Sequence, residues 1–190
     1  MAVKTFTTGE VLTASDTNTY LNNGGLVYIT SATASAQNRL NIPSCFSSTY
    51  DNYRVIVSGL TTSSGDNQII RFSIAGTDTV GTSYTTQRIE TNSSASSSIS
   101  YTSSPNISPS FCTATANSRL SYSMDIYSPN LSAITAITGQ ANRIDSGSNM
   151  YLVSFAGAQL TTNAQFDGLT IAGGAGNISC VVTVYGYRKA

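Results

Sequence analysis

The amino-acid sequence predicts an all-β fold, an antiparallel β-sandwich preceded by a short N-terminal arm. Apolar and polar residues alternate with period two over many short segments, and clusters of Gly, Asn, Ser and Pro separate those segments. No helical pattern lies between them, and 190 residues are enough to bury one hydrophobic core. We therefore expect residues 1–23 to form the arm and residues 24–190 to form a single sandwich domain.

The arm has a pattern of its own. Thr13, Ser15 and Asp16 offer N-cap chemistry for a short helix, and the Asn and Gly residues at 22–25 would end it because they accept left-handed backbone. The segment is too small to fold alone. Its apolar residues are therefore predicted to anchor it on a partner: Phe6, Val11, Leu12, Tyr20 and Leu21.

The most regular alternation covers residues 120–126, where Leu, Tyr, Met and Ile alternate with Ser and Asp. Similar patterns predict strands at 53–58, 70–74, 151–155, 166–171 and 178–184, with weaker candidates at 26–30, 84–89 and 134–138. In the 70–74 segment, Ile70, Phe72 and Ile74 are expected on one face. Eight to ten short strands, together with the absence of Trp, favour a jelly roll over an immunoglobulin-like sandwich.

Two segments are biased in composition. Residues 91–110 are rich in Ser and are expected to form an exposed loop or a flat, polar edge strand; the alternative is a displayed tip that grips a partner or glycan. Residues 173–176 are rich in Gly and predict a flexible turn between the last two strands. Low charge and abundant Ser and Thr are also typical of disorder, but zero net charge and 17 dispersed aromatic residues oppose that interpretation.

The composition argues against most kinds of catalytic and charged-ligand site. The chain has no His, so it lacks the proton shuttle that activates the nucleophile in Ser-His-Asp and Cys-His catalysis. Nine basic and nine acidic residues balance, which gives no attraction to nucleic acid or to anionic membranes. No metal-binding or phosphate-binding motif is present, and no signal peptide pattern precedes the strands. We expect no enzymatic activity, no cofactor, no metal, and synthesis in a cytoplasm.

A glycosidase needs only two carboxylates, so the absence of His does not exclude one. No spacing singles out a catalytic pair among the nine, which are Glu10, Asp16, Asp51, Asp66, Asp78, Glu90, Asp125, Asp145 and Asp167.

The three cysteines are Cys45, Cys112 and Cys180, and they form no CxxC unit. Their wide spacing predicts three buried apolar side chains, with one bridged pair as the alternative.

The last strand carries two aromatic residues on one face. Tyr185 and Tyr187 are expected opposite Val182 and Val184, since side chains alternate along a strand. If the valines face the core, the tyrosines meet a neighbouring subunit, a second sheet or a ligand. We predict a subunit interface at Tyr185 and Tyr187, because Tyr joins apolar area to a polar tip.

Three segments resemble small structural proteins of tailed bacteriophages, many of them marine or cyanobacterial phages. They are residues 4–21 (KTFTTGEVLTASDTNTYL), residues 46–55 (FSSTYDNYRV), and residues 166–171 (FDGLTI) with the closing VTVYGYR at 182–188. The first resembles the leader of those virion proteins, the second the start of a central strand, and the third their closing hairpin. The Ser-rich centre of the chain is unmatched.

The resemblance implies a non-enzymatic protein on the virion surface, most simply a capsid decoration or head-fibre protein held by its arm. It also implies a homotrimer whose partners are copies of itself and other capsid or tail proteins. A tail-fibre or tail-adaptor component that binds a host surface glycan is the alternative, and a depolymerising enzyme is a third hypothesis.

Deletion of residues 1–23 should leave a folded β domain that no longer joins the particle, because the arm carries docking and the sandwich carries the core. Circular dichroism of the truncated chain and blotting of purified particles measure the two properties. A truncated chain that is still incorporated would contradict the assignment of docking to the arm.

Overall fold

The computed structural model of the chain describes residues 7–11, 13, 25–92, 94–112, 114, 118–145, 147–161 and 164–189. Within this part of the chain every regular element is a strand, and the predicted all-β class is confirmed. The helix predicted after Thr13 lies outside the described residues. No helix among the described residues is long and apolar enough to cross a membrane.

The described residues form thirteen strands, more than the eight to ten predicted. They are β1 (Leu26–Gln37), β2 (Arg39–Ile42), β3 (Asn52–Thr62), β4 (Asp66–Ile74), β5 (Thr77–Asp78), β6 (Tyr84–Thr91), β7 (Ser96–Ser104), β8 (Phe111–Cys112), β9 (Arg119–Tyr127), β10 (Thr135–Ile144), β11 (Met150–Gln159), β12 (Gly168–Gly173) and β13 (Ile178–Tyr187).

The strands form two antiparallel sheets. The wide sheet has eight strands in the order β1-β13-β3-β9-β10-β11-β6-β7, and the narrow sheet has the order β2-β12-β4-β5 with β8 paired to β4. The first four strands alternate between the sheets, and so do the last two, which places β1-β13-β3-β9 against β2-β12-β4-β5. This is the strand order of a jelly roll, in which β10, β11, β6 and β7 extend the wide sheet.

The core lies between the sheets and follows the predicted alternation. In β9, Leu120, Tyr122, Met124 and Ile126 are all buried, as are the three inward residues of β3 at positions 53, 55 and 57. Phe72 lies near the centre, with its ring 5.2 Å from that of Phe166. Such ring pairs contribute about 0.5–1.5 kcal/mol of stability beyond that gained from the area they bury.

The end of β4 departs from the predicted pattern. Ile74 was expected beside Ile70 and Phe72 on the core face, but it is 46% exposed. The strand ends there, and the chain turns through Ala75 (φ 49°) and Gly76 (φ 76°) into β5. A two-residue loop with positive φ at both positions is the hairpin turn that matches the twist of antiparallel strands.

The inner side of the extension holds a buried ion cluster. Glu90 lies between Arg88 and Arg143, at 3.1 Å from the Nε of Arg88 and 3.4 Å from the Nη2 of Arg143. All three residues are less than one-tenth exposed. Ser110 donates a hydrogen bond to Glu90, and Arg88 donates to the Ser108 hydroxyl at 2.9 Å. Burial lowers the pKa of Arg88, since desolvation disfavours its charged form.

Replacing Glu90 with Gln should lower the free energy of unfolding by about 3–5 kcal/mol, because it leaves two buried guanidinium groups without their shared counter-charge. Urea denaturation of the full chain measures the change. The control is Asp51→Asn, which breaks the half-exposed 2.8 Å pair with Lys189 and should cost less than about 1 kcal/mol. Equal effects of the two substitutions would contradict the assigned role of the cluster.

Candidate functional site

Strand register aligns the outward side chains of the wide sheet in continuous rows. One row crosses seven strands and contains Tyr185, Arg54, Asp125, Thr138, Ala156, Gln87 and Ser100. The adjacent row contains Thr183, Ile56, Ser123, Gln140, Ser154, Ile89 and Ser98. Rows of this kind follow from antiparallel pairing, in which directly opposed residues point to the same side.

These rows border a shallow groove, which we call the outer-face groove. It consists of two adjoining depressions of about 540 Å³ and 420 Å³ that share Ile89, Ser123, Gln140 and Ser154 in their linings. Short side chains on β10 and β11, such as Ser154 and Ala156, form its floor. The longer Arg54 on one side and Gln87 on the other form its walls.

A hydrogen-bonded network fixes the wall at Arg54. Tyr187 donates from its hydroxyl to Asp125 Oδ1 at 2.6 Å, and Arg54 Nη1 lies 3.4 Å from the same oxygen. Arg54 Nη2 also donates to the Ser123 hydroxyl at 3.4 Å. The hydrogen bond with Tyr187 raises the pKa of Arg54, and burial followed by the Asp125 contact raises the pKa of Tyr187. The guanidinium of Arg54 therefore stays charged and the phenol of Tyr187 stays neutral near neutral pH.

The amides on and beside the groove floor are available to a ligand. Gln140, Asn142 and Ser154 are exposed and line the groove, and their side chains make no hydrogen bond to another described residue. An amide offers two donors and an acceptor in one plane, and a hydroxyl offers one donor and two acceptor lone pairs. The arrangement suits a ligand with many neutral hydrogen-bonding groups.

The structure places the predicted interface tyrosines on this same outer face. Val182 and Val184 are fully buried, while Tyr185 and Tyr187 are half-buried on the opposite side of β13. The alternative that these tyrosines pack against a second sheet is therefore wrong, because the narrow sheet lies on the side of the valines. Tyr185 contacts Tyr28 of β1, with ring centroids 6.1 Å apart. Their subunit contact stays a prediction.

Of the predicted anchoring residues, the structure describes Val11 alone, and its side chain is 79% exposed. Phe6, Leu12, Tyr20 and Leu21 lie outside the described residues. The Thr7 backbone N–H donates to the Glu10 carboxylate at 3.1 Å, just before Val11.

The Ser-rich segment forms an edge strand, one of the two forms expected for it. Residues of β7 pair with β6 at the rim of the wide sheet, and Ser98 lines the groove. Ile99 and Tyr101 point inward and are half-buried.

The acidic residues are engaged in structural contacts. Asp78 accepts from Thr170 at 2.6 Å and pairs with Arg39 at 3.0 Å. Asp145 caps a turn, where hydrogen bonds from the Asn149 side chain and from backbone N–H groups lower the pKa of its carboxyl. Asp16 lies outside the described residues. Among the residues that are described, no group of three or more Cys, Asp or Glu could hold a metal ion.

No protein-family model and no curated protein matches this chain.

Period-two alternation puts Arg54 and Asp125 on the polar faces of their strands, but the pattern does not bring them together. Alternation along a strand shows which face of the sheet a residue occupies. The contact of Arg54 with Asp125, which are 71 residues apart, depends on the pairing of β3 with β9. The groove was missed for the same reason. Outward Ser and Gln residues at matching strand positions are a signal only after the register is known.

The three cysteines are buried and form no disulfide, as predicted in preference to a bridge. Burial raises the pKa of Cys45 to about 12 and that of Cys180 to about 11, and it also raises the pKa of Cys112. The thiolate is the reactive form of Cys, so these residues act as apolar core side chains.

A thiol-specific chromogenic reagent at pH 8 should leave the native chain unlabelled and should label three thiols per chain after unfolding in guanidinium chloride. At that pH a thiol with a pKa of about 12 is ionised to only about one part in ten thousand. Absorbance of the released chromophore counts the reacted thiols. Fast stoichiometric labelling of the native chain would contradict the buried positions.

Proposed function

We propose that this chain is a non-enzymatic structural protein of a bacteriophage virion, displayed on the particle as a capsid decoration or head-fibre protein. The observation that carries the proposal is a jelly roll in a chain whose residues 4–21 resemble the leader of phage virion proteins. The segments at 46–55 and 166–171 also resemble those proteins, and they contribute the buried rings of Phe46, Tyr53 and Phe166 to the core.

The surface chemistry fits display on a particle. The outward rows of the wide sheet are dominated by hydroxyls, amides and small residues, and the Arg54–Asp125 pair cancels its own charge. With zero net charge, the chain has little long-range attraction for other macromolecules. The arm at residues 1–23 would hold the sandwich on the particle.

The proposal includes self-association as a homotrimer. Tyr28, Tyr185 and Tyr187 offer half-exposed aromatic area beside the edge strand β1, and aromatic residues are enriched at subunit contacts. The other partners in this proposal are capsid or tail proteins, and neither nucleic acid nor membrane is among them.

A tail-fibre or tail-adaptor component with glycan-binding activity is the second candidate. The specific observation in its favour is the outer-face groove, whose exposed amides and hydroxyls can contact a receptor.

Quantitative mass spectrometry of purified particles tests the proposal, with the copy number of this chain compared to those of the major capsid and tail proteins. A copy number near that of the capsid protein is expected for a decoration protein. A tail-like copy number would instead select the fibre or adaptor role. Absence from washed particles would overturn the virion assignment.

A further inference from the structure

We propose that the outer-face groove is a binding site for a neutral oligosaccharide. The inference goes beyond the structural role above and names a site and a ligand class. It rests on the size of the groove, its charge, and the hydrogen-bonding groups of the residues that line it.

The groove has the size of a ligand site. Its larger depression, of about 540 Å³, lies in the range of about 300–1,000 Å³ that is usual for small-molecule pockets. The second depression adjoins it along β10 and β11, so the site is elongated in the strand direction. An elongated, open groove fits a short segment of a chain molecule better than a compact cofactor.

The charge of the groove selects a neutral ligand. Its outward lining contains one cation, Arg54, and one anion, Asp125, which contact each other and are fixed by Tyr187. Arg88, which also borders the groove, points to the inner side of the sheet and pairs there with Glu90. A phosphorylated, sulfated or sialylated ligand would find no unpaired cation among the lining residues.

The polar groups of the groove match a polyol. Gln140 and Asn142 present amides, and Ser98 and Ser154 present hydroxyls, across neighbouring strands. Beside them, the Gln87 amide donates to Ser100, and the Thr138 hydroxyl is hydrogen-bonded to Tyr127. Sugar hydroxyls both donate and accept, so they can satisfy amide and hydroxyl partners together. Positions on adjacent strands are about 4.8 Å apart, which lets one sugar ring bridge two of them.

Aliphatic side chains in the groove offer apolar surface to the C–H faces of sugar rings. Ile56, Ile89 and Leu152 line the second depression, and Ile89 and Leu152 are 56% and 61% exposed. Sugar rings present C–H faces as well as hydroxyl edges, and burial of both apolar surfaces favours contact. A ligand site that combines apolar walls with a few polar groups is the usual pattern.

A printed array of neutral bacterial polysaccharides and oligosaccharides, with sialylated and sulfated glycans on the same slide, tests the site in the full chain. We expect binding to one or more neutral glycans and no preference for the acidic ones. Isothermal titration with the neutral oligosaccharide that gives the strongest signal then compares three variants.

Ser154→Tyr fills the groove floor from an exposed, outward position and should weaken binding at least tenfold. Gln140→Ala removes one amide and should weaken binding about fivefold, the effect of one hydrogen bond. Thr33→Tyr adds the same ring on the outer face of β1, outside the groove, and should leave binding unchanged. Thermal unfolding of each variant shows whether the fold is kept.

Three results would overturn the inference: no neutral glycan bound above background, binding unchanged by Ser154→Tyr, or preference for acidic glycans. A fourth such result would come from light scattering. If Ser154→Tyr forms a smaller oligomer than the unmodified chain, a second copy of the chain occupies the groove. The copy number in particles does not depend on glycan binding, so failure of this inference and failure of the virion role are distinguishable.

Discussion

The period-two alternation of the wide sheet is the constraint on which the rest of this molecule depends. Its strands β13, β3 and β9 must present apolar residues to the narrow sheet and polar residues to solvent, and a one-residue slip would exchange the two sets. The pairing of β3, β9, β10 and β11 keeps this register over several residues in each pair. The same register that builds the core therefore builds the rows of hydroxyls and amides on the outer face.

A second constraint acts at the extension of the wide sheet. Strands β10, β11 and β6 continue past the central strands of the narrow sheet, and the chain around β8 covers their inner side. There the core changes from apolar packing to the buried ions of Arg88, Glu90 and Arg143, with the guanidinium of Arg143 3.8 Å above the ring of Tyr151. Breaking a buried ion pair is costly, so such a cluster ties the covering segment to one position.

The sequence was most informative where large apolar residues alternate. The face and burial of Leu120, Tyr122 and Met124 could be predicted because core packing reinforces the local pattern. Strand β1 was predicted only at its start, because beyond Thr30 its inward positions are Ala32 and Ala34, which give a weak signal. Its length is set by pairing with β13, more than 140 residues away in the chain. Long-range pairing of this kind cannot be recognised from any one segment of the sequence.

The candidate site was less predictable than the fold. Arg88 and Glu90 would be assigned to solvent from their charge, and their burial is explained only by Arg143, which meets them across the sheet. Alternation puts Arg54 and Asp125 each on a polar face, but their shared contact with Tyr187 depends on the order of three strands. Tyr187 thus has a hydrogen bond that sequence reasoning could not assign.

The three separate buried thiols have a further consequence. Because Cys45, Cys112 and Cys180 form no disulfide, no disulfide cross-link contributes to the stability of this sandwich. Its covalent structure is then the same in the reducing interior of a cell and in the oxidising medium outside. A protein that folds in one of these environments and works in the other would keep its free energy of unfolding through the transfer, with no oxidation step to complete on the way.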